Sequence, residues 1–119
     1  MYNASRPLEY ICFYPDKATT QDAGDVYAFI FMDVFSEFVF MTGFEKSNSQ
    51  ENILKHIRLL TRDKDFLRHK GLPFTLVMHG HEEITEDILH IIKPLKGKVL
   101  VDDAFVEKQV APFLKTLHR

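Results

Sequence analysis

The segment His79-Gly80-His81-Glu82-Glu83 sets two imidazoles and two carboxylates side by side, directly after the apolar run Phe74 to Met78. His79 and His81 alternate, so a strand continuing through Gly80 would turn both to one face. Imidazole and carboxylate donors together suit Zn²⁺ or Fe²⁺. Further ligands would come from the C-terminal acids, which makes the candidate metal set His79, His81, Glu82, Asp102, Asp103 and Glu107. The same residues also read as a polar turn at a strand end, with Asp102 or Asp103 capping a helix. A second group is basic: Lys55, Arg58 and Arg62 recur at helical spacing and are candidates for phosphate contact. Asp63 and Asp65 interrupt that run, which equally fits a solvated helix face. Cys12 stands alone in an apolar run, so it forms no internal disulfide and reads as a buried, inert thiol. No glycine-rich phosphate loop, serine nucleophile motif or dinucleotide fingerprint is present.

These residues need a scaffold, and the patterning supplies one. Leu8 to Tyr14 reads as a first strand ended by Pro15-Asp16. Val26 to Val34 is nearly continuous in apolar residues, as a strand covered on both faces requires. Glu37 to Thr42 follows as a third strand after a tight turn at Asp33 to Ser36, and Gly43 closes the meander. Ser47 to Glu51 offers several N-caps for a helix whose stripe is Ile53, Leu54, Ile57, Leu60, Phe66 and Leu67, with Gly71 and Pro73 ending it. Phe74 to Met78 is a fourth strand, Thr85 to Ile92 a short helix, and Lys98 to Val101 a fifth strand. A final helix carries Val106, Val110, Phe113 and Leu114, with Pro112 expected to kink or divide it. The order β-β-β-α-β-α-β-α predicts an α/β fold. Right-handed crossovers set strands four and five beside strand one, in a mixed five-stranded sheet with helices on both faces. That is the ribonuclease H-like architecture.

At 119 residues the chain is expected to be one domain with a single core, residues 1–7 forming a flexible N-terminal arm. Eleven phenylalanines and no tryptophan point to a Phe-rich core, and a formal charge of −2 gives no global pull toward nucleic acid. The start lacks the marks of a signal peptide, and the longest apolar run is broken by Asp33, Ser36 and Glu37, so no membrane association and a cytoplasmic location are expected.

Several segments resemble the catalytic core of retroviral-type integrases and related bacterial transposases. Ile30-Phe31-Met32-Asp33-Val34-Phe35-Ser36-Glu37-Phe38-Val39-Phe40 is similar to that family's second and third strands. Ser47 to Leu60 resembles the helix that follows, and Gly71-Leu72-Pro73 through His79-Gly80-His81-Glu82 the segment carrying its second acid. Phe105-Val106-Glu107-Lys108-Gln109 with Phe113-Leu114-Lys115 resembles the late helix carrying its glutamate.

The resemblance implies a core that uses an Asp on the first strand, an acid after the fourth and a late Glu to hold Mg²⁺ or Mn²⁺ for phosphoryl transfer. This chain departs from that pattern. Cys12, Phe13 or Tyr14 stands where the first Asp is expected, and the nearest acid, Asp16, lies past Pro15. His79 replaces the second acid, and only Glu107 matches. The expectation is therefore a catalytically inactive core, needing no cofactor, that acts in nucleic-acid-associated binding or as a homodimer. An active nuclease or strand-transfer core would use Asp16, His79 and Glu107 with Mg²⁺ or Mn²⁺. An unrelated α/β regulatory or interaction module is the third alternative.

Overall fold

A computed structural model describes residues 2–22 and 24–118. Five strands form one sheet in the order β3-β2-β1-β4-β5. β1 is Tyr10–Thr20, β2 Gly24–Asp33, β3 Val39–Glu45, β4 Phe74–Met78 and β5 Gly97–Val101. The first three strands are antiparallel neighbours, while β4 pairs parallel with β1, and β5 parallel with β4. The helices are α1 (Gln50–Thr61), α2 (Lys64–Leu67), α3 (Thr85–Ile92) and α4 (Asp103–Leu117). This is the ribonuclease H-like sheet expected from the element order. No helix among the described residues is long and apolar enough to cross a membrane.

Alternation along the strands divides two cores. Ile11, Phe13, Phe29, Phe31, Leu76 and Met78 face α1 and α3, meeting Ile53, Ile57, Leu60, Ile88 and Ile92. The opposite set, Cys12, Met32 and Val77, meets Phe105, Val106 and Val110 of α4. Both faces of the sheet are therefore covered, and the Phe-rich expectation holds for the larger core. Gly97 marks its tightest point. A Cβ there would lie 2.6 Å from Phe74 Cζ and 2.8 Å from Ile92 Cβ, so only glycine lets β5 approach α3 this closely.

Several expected boundaries move. β1 runs through Pro15 to Thr20, because β4 pairs with it only as far as Phe13. Beyond that point β1 has a neighbour on one side only, where a proline is tolerated. Asp16 consequently lies inside β1. β3 also runs past Gly43, through a register shift opposite Phe29/Ile30, with Gly43 at φ +145°. The expected long basic helix is two helices, because Asp63 breaks it: its side chain accepts the Asp65 amide and caps α2. Ser49 caps α1 by accepting the Asn52 amide. α4 is undivided, and Pro112 lies within it.

Tyr2 and Arg6, within the stretch expected as an arm, contact the rest of the chain. Tyr2 stacks edge-on against Phe105, with centroids 4.6 Å apart, and its hydroxyl donates to Asp102. The Arg6 guanidinium donates to the Pro73 carbonyl.

Candidate functional site

The parallel pairing of β1 and β4 ends at Phe13 opposite Met78. The next residues, Tyr14 and His79, therefore stand together at the sheet rim, their rings 5.0 Å apart and edge-on. α4 completes the group: His79 Nε2 lies 2.6 Å from Glu107 Oε2. Burial first, and then the charges of Asp16 and Glu107, push the Tyr14 phenol above its ordinary range. Its oxygen thus remains protonated at neutral pH and is a poor ligand for a hard cation.

The turn after β4 separates the two histidines. Gly80 and His81 both have left-handed backbone, at φ +69° and +62°, so the strand stops and the alternation that would pair His79 with His81 does not hold. His81 Nδ1 instead sits 3.7 Å from Glu83, while Glu82 opens a 3₁₀ turn, Glu82–Ile84.

β5 does end beside this rim, since Val101 pairs with Met78 and the Asp102 amide donates to the Met78 carbonyl. Its two acids, however, have structural partners. Asp102 Oδ1 accepts the Phe105 amide at 3.1 Å and caps α4, while Oδ2 takes the Tyr2 hydroxyl at 3.0 Å. Asp103 Oδ1 accepts the Gly80 amide at 2.7 Å, which ties the β4 turn to the helix start.

Asp16 is on the same sheet face as Tyr14 but is engaged elsewhere. Its side chain is buried, and Oδ2 lies 2.8 Å from Nε2 of His118 at the C-terminal end of α4. That is eleven residues, or roughly 16 Å of helix, beyond Glu107. Asp16, His79 and Glu107 are therefore not one cluster. The sequence left Tyr14 as one of three residues at the first-strand position and did not mark His118 at all. The parity of Tyr10, Cys12, Tyr14 and Asp16 along one strand was the available signal for the first, whereas nothing in the spacing marks the second.

Mg²⁺ and Mn²⁺ call for several oxygen donors. The rim offers a protonated phenol, an imidazole whose Nε2 is already engaged, and one carboxylate. Among the described residues, no three His, Cys, Asp or Glu side chains come together to hold an ion. The residues present do not fit such a metal.

The basic candidates lie on the other layer. Lys55 Nζ is 3.0 Å from Glu45 Oε2, so its charge is spent locally. Arg58 and Arg62 are exposed, one turn apart, and make no ion pair among the described residues.

No protein-family model matches the sequence, and no curated protein matches it. Solved structures do. The chain superposes on the HTLV-2 integrase catalytic core, solved in complex with magnesium in a dimeric form, with a TM-score of 0.68 at 9% identity, over 97% of this chain and 72% of that one. A chain of the simian T-cell lymphotropic virus intasome matches with a TM-score of 0.67 at 13% identity, over 93% of this chain and 40% of that one. The catalytic domain of Mos1 mariner transposase gives 0.57 at 11% identity, over 93% and 59%. The chain thus spans less than two thirds of the length of two of these three structures. At such identities the likeness is one of fold.

Proposed function

We propose that this chain, which has the ribonuclease H-like fold of retroviral integrase and mariner transposase cores, acts as a nucleic-acid-associated binding or self-association domain and does not cleave DNA through bound metal. The observation that carries this is the make-up of the rim, Tyr14, His79 and Glu107, in which the histidine bonds the acid at 2.6 Å. Asp16, the one acid in β1, is paired with His118. Phosphoryl transfer through two metal ions needs carboxylates to neutralise and hold them, and this rim supplies one.

Arg58 and Arg62 on α1 are the groups proposed to meet phosphate, since both are exposed and unpaired among the described residues. Such contacts would make binding steeply salt-dependent and indifferent to sequence. Self-association is proposed by likeness to the HTLV-2 core, which is known in dimeric and trimeric forms.

The test combines Mg²⁺ or Mn²⁺ addition with thermal melting and a plasmid-nicking assay. No melting shift and no nicking are expected. Nicking that disappears in Glu107→Ala would establish an active core instead.

A further inference from the structure

A cleft of ≈ 440 Å³ opens on the α1 side of the sheet, away from the Tyr14–His79 rim. Pro7 and Leu8, the turn between β2 and β3, and the segment Asp65 to His69 bound it. Its volume falls within the range of sites that hold one small ligand. We propose that this cleft binds a small organic cation, an ammonium ion carrying an aromatic body.

Charge and shape both argue for that class. Three carboxylates line the cleft, Asp33, Glu37 and Asp65, against one guanidinium, Arg68, and one imidazole, His69. The lining stays net negative even with the imidazole protonated. Arg68 and Asp65 offset one another, with Nη1 3.2 Å from Oδ1, which leaves Asp33 and Glu37 as the cleft's remaining acids. No cation pairs with Asp33 or Glu37 among the described residues. One wall is aromatic: Phe38, 51% exposed, stands edge-on to Phe40 with centroids 4.8 Å apart. A negative cleft beside an open aromatic face is the setting for cation–π recognition.

The two unpaired acids have different roles. Asp33 is 2% exposed and its oxygens are filled. Oδ1 accepts the amides of Leu8 and Phe35, and Oδ2 the amide and hydroxyl of Ser36. It fixes the cleft's walls and contributes its field, but has no lone pair left for a ligand. Glu37 is exposed and is the acid available for direct contact. It holds that position with φ +63°, a left-handed backbone that glycine adopts without cost and glutamate does not. Leu8, on the opposite wall, has φ +60°. A glutamate at position 37 trades stability for a carboxylate at the mouth of the cleft.

The probe is phenethylammonium, titrated into the ¹⁵N-labelled chain and followed by backbone amide shifts, with 3-phenylpropionate as the charge-reversed control. Saturable shifts at Leu8, Phe38, Phe40 and His69 are expected with the ammonium and absent with the carboxylate. Glu37→Gln, which removes charge but keeps the side chain's size, should weaken binding about tenfold. Glu37→Gly should weaken it equally while raising the melting temperature. The absence of saturable shifts at millimolar phenethylammonium would overturn the proposal. So would equal binding of 3-phenylpropionate, or undiminished affinity in Glu37→Gln.

Discussion

His79 Nε2 and Glu107 Oε2 lie 2.6 Å apart and join the end of β4 to the second turn of α4. The pair closes the rim where β1 and β4 run out, using an imidazole from inside the chain on the single acid that rim retains. Its contribution to folding is small, because the Glu107 side chain is 60% exposed and solvent screens the interaction. Glu107→Ala should therefore change unfolding free energy by less than about 1 kcal/mol in a denaturant titration. A much larger loss would make the pair a structural clamp.

Asp33 behaves in the opposite way. Its buried carboxylate accepts four donors from Leu8 and the turn after β2, and removing it leaves the Leu8 amide, buried with its residue, without a partner. Asp33→Ala should cost about 3 kcal/mol by urea unfolding. Asp33→Asn, which keeps acceptor capacity on one oxygen only, should fall between that variant and the parent.

Glu45 couples the fold to pH. Hydrogen bonds from His56, first, and from Lys55 hold its carboxyl below the ordinary value of 4.5. A carboxyl depressed in the folded state stabilises the fold above its unfolded value, and that contribution disappears as pH falls through the folded value. Glu45→Gln should thus lower the melting temperature at neutral pH, with the difference from the parent shrinking on acidification below 4.5. A difference that persists undiminished in acid would assign the loss to packing around His56, which is buried and stacked on Phe29 at 4.2 Å.

Cys12, on β1, is fully buried beneath α4, and burial pushes its thiol up to about 12. The thiolate is the reactive form, so an aromatic disulfide reagent should leave the native protein unlabelled and react stoichiometrically once denaturant is added. Rapid native labelling would mean that α4 lifts from the sheet.

How much of this was legible in the sequence depends on which physical signal each element carries. Phe74 to Met78 is bounded by Pro73 and Gly80 and is apolar apart from Thr75, so β4 is where the pattern puts it. The element order with right-handed crossovers carries the strand order as well. Pro15 misleads, because its cost depends on whether β1 has one neighbour or two, a tertiary fact. Asp63 misleads in the other direction: between basic residues it reads as part of a helix face, yet it caps α2. The placement of His79 at the sheet rim was legible, because the residue follows β4 directly. That Tyr14 is its neighbour follows only from the β1–β4 register. The Asp16–His118 pair, linking residues at opposite ends of the chain, has no sequence signal at all.

The proposal that the rim holds no divalent metal is tested most directly by Mn²⁺ electron paramagnetic resonance on the purified chain. The proposal predicts that the free Mn²⁺ signal is undiminished by the protein at any stoichiometry, and that Glu107→Ala leaves the spectrum unchanged. Stoichiometric quenching of that signal by the parent chain, lost in Glu107→Ala, would contradict it.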